Sequence, residues 1–175
     1  WKLQTGEKFV TPQAVMTFSE NGINGMAANF HDFVNYHIIP QPFRGVERPV
    51  VLNNWEATMF HFNRQKILTM ARQAAKLGVE MFVLDDGWFG KRNDDKTSLG
   101  DWYVNEEKLN GPLSKLIERV NAEGMDFGIW FEPEMISPDS DIYRAHPDWC
   151  LHTEGRDKSI ARTQYVIDFS RKEVR

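Results

Sequence analysis

The stretch Val79-Glu80-Met81-Phe82-Val83-Leu84-Asp85-Asp86-Gly87-Trp88-Phe89-Gly90 decides the fold. Its first six residues are apolar apart from Glu80, the pattern of a short strand buried on both faces. Two aspartates and a glycine then end the run. Just upstream, Asn63 is suited to cap a helix in which Ile67, Leu68, Ala71, Ala74, Ala75 and Leu77 recur at helical spacing, and Gly78 stands where such a helix terminates. Before that helix, Pro49-Val50-Val51-Leu52-Asn53-Asn54-Trp55 reads as another strand ending in polar residues and an indole. Strand, helix and glycine form one unit, and the chain repeats it. Downstream, the polar and glycine-rich residues 85–101 lead to a second helix with Pro112 in its first turn, Leu113, Leu116, Ile117 and Val120 on one face, and Gly124 closing it. Residues 125–131 make the third strand. A short helix is expected near residues 141–145, and residues 164–167 read as a fourth strand ending at Asp168.

Strands alternating with amphipathic helices imply parallel strands joined by crossover connections, so the class is α/β. A doubly wound dinucleotide fold would place a G-x-G-x-x-G turn after its first strand, and none is present. That favours a (β/α)8 TIM barrel. A whole barrel takes about 250 residues, whereas four strand candidates, all within residues 48–175, amount to its first half. Residues 1–47 follow another pattern. Residues 9–18 suggest a strand, Asn21-Gly22 a turn, and residues 23–36 a helix with Met26, Phe30, Phe33 and Val34 on one side. Pro40-Gln41-Pro42-Phe43-Arg44-Gly45-Val46-Glu47 is rich in turn formers and reads as a linker, which sets a boundary between residues 47 and 48. Because the chain opens on Trp1 and stops at Arg175, it is expected to be a piece of something longer.

Composition narrows the function. The 175 residues are 41% hydrophobic and 26% charged, with 21 basic against 25 acidic side chains and a net charge of -4. With a pI near 5.7 and a mean hydropathy of -0.51, neither nucleic acid nor a membrane is an expected partner. Cys150 is the only cysteine, so no internal disulfide or multi-cysteine zinc site can form. The five histidines show no H-x-x-x-H or H-E-x-x-H pairing, and no metal is expected. A reducing compartment is permitted, and the cytoplasm is the expected location.

In a parallel barrel the chemistry sits where the strands end. There the chain places Trp55 and Glu56, then Asp85, Asp86 and Trp88, then Trp130, Glu132 and Glu134, with Arg162 before the fourth strand and Asp168 after it. Carboxylates accept several hydroxyl hydrogen bonds at once, and an indole is a flat apolar wall, a combination that suits a sugar. Each element of this set also has a plainer reading. Asp85 and Asp86 serve equally as loop caps, and both address one ligand only if the strand has ended before them. Trp55 and Trp130 could fill the core instead. Asp139 and Asp141 fit a turn and a helix cap, and Lys91, Arg92, Asp94 and Asp95 fit a solvated loop. Glu132 and Glu134, two residues apart, share a face if extended, but Pro133 fixes the local backbone and nothing in the sequence matches them to a bond-cleaving pair, whose carboxyls stand about 5 to 5.5 Å apart in retaining glycosidases, so they are read as shaping the site.

Several motifs together resemble the α-galactosidases of glycoside hydrolase family 36: Leu52-Asn53-Asn54-Trp55-Glu56-Ala57-Thr58, Phe82-Val83-Leu84-Asp85-Asp86-Gly87-Trp88-Phe89-Gly90, Leu99-Gly100-Asp101-Trp102 and Gly128-Ile129-Trp130-Phe131-Glu132-Pro133-Glu134-Met135. The likeness extends through Tyr143-Arg144-Ala145-His146-Pro147-Asp148-Trp149 and Asp168-Phe169-Ser170. Upstream, Pro12-Gln13-Ala14-Val15 and Gly22-Ile23-Asn24-Gly25-Met26 are similar to the segment joining that family's N-terminal β-sandwich to its barrel. The resemblance implies a retaining hydrolase of terminal α-linked galactose in oligosaccharides such as raffinose and melibiose, homo-oligomeric at full length, without metal or organic cofactor. It implies that Asp85 and Asp86 bond the galactose hydroxyls, that Trp55 and Trp130 line the pocket and that Arg162 contacts the sugar. The family's nucleophile is an aspartate within a Lys-Trp-Asp type motif, which is absent here, so no catalytic carboxylate is assigned within this chain. A non-catalytic sugar binder and a related galactosyltransferase remain as alternatives.

Overall fold

The structure, a computed structural model, describes residues 2–175. They divide into two units at the junction of Arg48 and Pro49. In the first, α1 spans Gly22–Phe33 and runs directly into a single π turn, Val34–Ile38, that ends when the Ile39 N–H donates back to the Val34 carbonyl. Residues 9–18, expected as a strand, form none. A strand is held by a ladder to a neighbour, and the described residues of this unit contain no second strand to supply one.

The second unit is built on three parallel strands, β1 (Val51–Asn53), β2 (Met81–Leu84) and β3 (Asp126–Ile129), lying side by side in sequence order. Leu52 pairs with Phe82 and Phe82 with Phe127, while Leu84 pairs with Ile129, so the strands end nearly level. After β1 come a single turn, α2 (Trp55–Thr58), and the longer α3 (Arg64–Lys76). The Asn63 side chain accepts from the Lys66 N–H at 2.9 Å, the expected cap, and α3 buries Ile67, Leu68, Ala71 and Ala74 against the sheet. The return to β3 is made by α4 (Leu113–Asn121), which buries Leu116 and Val120. Phe82 and Leu84 lie at the centre of this core.

Between β2 and α4 the chain is irregular but packed, because Trp88, Phe89, Leu99 and Leu109 turn inward and join the same core. Two backbone bonds, Gly90 N–H to the Tyr103 carbonyl at 2.7 Å and Asn105 N–H to the Trp88 carbonyl at 2.9 Å, fold the segment back on itself.

The expected fourth parallel strand is not one. Beyond β3, β4 (Met135–Ile136), α5 (Asp141–Ala145), β5 (Ile160–Ala161) and β6 (Gln164–Val166) follow, and β6 lies between β4 and β5 in a separate antiparallel sheet. The reason is local: Ala161 pairs with Gln164, so Arg162 and Thr163 form a two-residue hairpin turn, both with positive φ, 50° and 68°. A hairpin reverses direction and cannot extend a parallel sheet. Ser140 caps α5 by accepting from the Tyr143 N–H, while Asp139 and Asp141 pair with Arg144 on the surface. Among the described residues no helix is long and apolar enough to cross a membrane.

Candidate functional site

At the C-terminal ends of the three parallel strands lies an open cleft of about 450 Å³, bounded by Trp55, Asp85, Asp86, Trp130, Phe131, Glu132, Glu134 and Arg162. All five of the sequence-predicted residues, Trp55, Asp85, Asp86, Trp130 and Arg162, are therefore brought to one place by four separate segments.

The first segment is the end of β1, where two asparagines act as brackets. Asn54 is fully buried; its side-chain oxygen accepts from the Asp85 N–H at 2.8 Å, and its amide donates to Thr58 Oγ1 at 2.7 Å. Asn53 donates to Asp85 Oδ2 and accepts from the Trp55 N–H at 2.8 Å, so one side chain aligns two residues of the cleft. Trp55 begins α2 and meets Phe60 edge-on, ring centroids 5.0 Å apart.

β2 stops at Leu84, and the chain then turns. Asp85 Oδ1 accepts from the Asp86 N–H at 2.7 Å, and Gly87 adopts φ 98°. A side chain at Gly87 would crowd the Phe60 ring at 3.1 Å and the Arg92 carbonyl at 3.3 Å, and the positive φ would strain it in any case, so glycine suits the position. This bend lets two adjacent aspartates reach one cleft. Asp86 is buried and pairs with Arg92, whose Nε lies 2.9 Å from Oδ1 and whose Nη2 lies 2.8 Å from Oδ2. The expectation that Arg92 belongs to a solvated loop is thus corrected: it is 1% exposed. A guanidinium is tolerated at that depth because a carboxylate matches its charge and geometry.

The third strand delivers Trp130, whose N–H donates to the Leu84 carbonyl at 2.9 Å and whose carbonyl accepts from the Trp88 indole at 3.0 Å. Trp88 itself is core. Glu132 is nearly buried beside Asp86 and Glu134; burial pushes its carboxyl above the ordinary range, Arg162 pulls it back and Glu134 pushes it up further. The fourth segment is the β5–β6 hairpin, whose tip carries Arg162 to the rim. Asp168 does not belong to this set: it lies outside the cleft lining, half-exposed in a turn, where the Ser170 hydroxyl, and with it the Ser170 N–H, holds its carboxyl below the usual range. Glu56 is exposed outside the cleft lining as well.

Sequence reasoning missed that Asn53, Asn54 and Arg92 hold cleft residues from outside the lining. The asparagines had a signal, their position between a strand and the Trp55 turn; Arg92 had none beyond its nearness to Asp86. Lys108 was also unremarked. Its ammonium sits 4.4 Å from the Phe62 ring centroid and donates to the Arg92 carbonyl at 3.3 Å, and burial lowers it to about 8. A further hollow of about 390 Å³, bounded by Tyr143, His152 and Lys158 among others, contains only one carboxylate, Asp157, and no residue from the parallel strand ends. Among the described residues no group of three His, Cys, Asp or Glu side chains could hold a metal ion. The cleft can accept many hydroxyl hydrogen bonds through its carboxylates while offering indole faces to the apolar side of a ring.

The melibiase family model matches residues 8–175. The alpha-galactosidase AgaA of Geobacillus stearothermophilus is 53% identical over 174 residues, covering 99% of this chain and 24% of that protein. The crystal structure of the glycoside hydrolase family 36 alpha-galactosidase AgaB from the same organism superposes with a TM-score of 0.82 at 53% identity, over 86% of this chain and 21% of that one. A substituted form of AgaA in complex with raffinose gives a TM-score of 0.82 at 52% identity, with coverage of 86% and 21%. The chain spans about a quarter of the length of the curated relatives it matches.

Proposed function

The chain belongs to the melibiase family, and on that footing we propose that it forms the galactose-recognition side of a retaining α-galactosidase acting on oligosaccharides such as raffinose and melibiose. The observation that carries this reading is the convergence of Trp55, Asp85, Asp86, Trp130 and Arg162 on one cleft. A galactose ring needs that mixture: acceptors for its hydroxyls and a flat wall for its C–H face.

The three parallel strands, laid down in sequence order, are then the opening strands of a (β/α)8 barrel with its site at the strand ends. Residues 1–47 close an N-terminal β-sandwich and link it to the barrel. Catalysis is double displacement: one carboxylate attacks the anomeric carbon, a second carboxyl protonates the leaving oxygen, and water then releases the sugar. Both of those carboxylates lie outside the 175 residues. What this chain contributes is orientation, with hydroxyl contacts from Asp85 and Asp86 that tighten as the ring flattens toward the transition state. The whole protein is taken to be a cytoplasmic homo-oligomer.

The test uses the intact protein and raffinose, following the first-formed sugar by proton NMR. Released galactose in the α configuration is expected. Raffinose that binds unchanged would point to a sugar-binding protein, and preferential transfer to an added sugar acceptor would point to a transferase.

A further inference from the structure

One buried charge next to the cleft has no part in the recognition set described so far. Arg92 lies in a loop among Lys91, Asp94 and Asp95, yet its side chain is enclosed. Its guanidinium engages both oxygens of Asp86, with Nε at 2.9 and 3.2 Å and Nη2 at 2.8 Å. Nη1 donates to the Thr97 carbonyl at 2.9 Å, which ties the far side of the group to its own loop. The guanidinium carbon also stands 5.5 Å from the centroid of Phe60, the ring that abuts Trp55. One side chain thus reaches Asp86 directly and Trp55 at one remove.

The geometry matters because an aspartate's terminal torsion is broad, so an unrestrained carboxylate can turn to meet any donor. A two-pronged guanidinium contact fixes the carboxylate plane and leaves its remaining lone pairs pointing in set directions. A lysine would neutralise the charge without fixing the plane.

We propose that Arg92 is a positioning residue that sets hydroxyl discrimination in the cleft, by locking the Asp86 carboxylate in the one plane from which it bonds a particular sugar hydroxyl. The inference rests on the α-galactoside reading above and deepens it.

The test measures R92K in the intact protein on p-nitrophenyl α-galactoside and on its singly deoxygenated analogues, with a melting curve to establish folding. In R92K, kcat/KM for the parent sugar is expected to fall at least about tenfold, since a point charge replaces a fixed fork. The penalty for deleting one hydroxyl is expected to shrink at least about fivefold, with penalties at the other positions unchanged, because only one polar contact loses its alignment. Retained kinetics, or one common loss across all analogues, would overturn the proposal, since a purely structural role lowers every substrate alike. If R92K does not fold, the uncharged pair D86N/R92Q is compared with D86N. Kinetics equal within about twofold support action through Asp86 alone, and a further loss of about tenfold overturns it, by the logic of a double-mutant cycle. A wild-type protein that cleaves no α-galactoside removes the functional reading and this inference with it. One that cleaves, while R92K keeps full discrimination, removes this inference only.

Discussion

Asp85 and Asp86 are neighbours in the chain but are held by different parts of the protein, the first by Asn53 and Asn54 and the second by Arg92. Each is therefore expected to act separately. Asp86→Asn removes the charge and half of the acceptor capacity while keeping the shape; on a chromogenic α-galactoside kcat/KM is expected to fall at least about tenfold, or about 1.4 kcal/mol. An unchanged value would show that Asp86 makes no contact that strengthens in the transition state. Glu132 makes a different kind of prediction. Its folded carboxyl is raised, chiefly by burial, so the folded state holds its proton more tightly than the unfolded one. Its favourable contribution is complete below the ordinary carboxylate range and is lost as pH rises through the raised folded value. E132Q is accordingly expected to melt above wild type at neutral pH and to converge with it in acid. Parallel melting curves at all pH values would refute this. At this scale Trp55, Asp85, Asp86 and Trp130 were legible as candidates from residue type and position after a strand, and Arg162 from the family resemblance, but Arg92 was not. Nothing local distinguishes a loop arginine that is solvated from one that is enclosed, since enclosure depends on Asp86 and Phe60 lying where the backbone bend puts them.

Among the elements, the helices were the most legible. Asn63, Gly78 and Gly124 punctuate α3 and α4, and the apolar spacing between them identifies the buried faces, because caps and periodicity are properties of adjacent residues. The strand at residues 164–166 was recognised as a strand but assigned to the wrong sheet. Its partner is fixed by the turn before it, and Arg162-Thr163 lacks the Asn-Gly or Asp-Gly signature that announces a tight hairpin. Thr163, β-branched with φ 68°, occupies that turn at a steric cost. Thr163→Gly is expected to raise stability by about 0.5–1 kcal/mol, the left-handed cost of the side chain less the added unfolded-state entropy of glycine. A lower melting temperature would mean that the threonine hydroxyl, which donates to the Asp95 carbonyl at 3.5 Å, contributes more than its backbone costs.

For the molecule as a whole, the parallel sheet has β2 between β1 and β3, which leaves β1 and β3 as edges among the described strands. Large apolar groups near those edges are open to solvent, with Val51 51% and Phe131 49% exposed. Parallel strands are normally covered on both faces, and open edges recruit further strands. Expressed as these 175 residues alone, the chain is expected to self-associate, detectable by light scattering on a sizing column; a monomer with one cooperative melting transition would contradict this. By itself the sequence determined the α/β class, the caps and buried faces of α3 and α4 and the residue types gathered at the strand ends, because spacing and capping act over a few neighbouring positions. The tertiary structure alone decided that residues 164–166 join an antiparallel sheet and that Arg92 is drawn under Asp86. Those outcomes depend on strand pairing and on charge burial between segments distant in the chain, and such energies exist only once the backbone has brought the partners together.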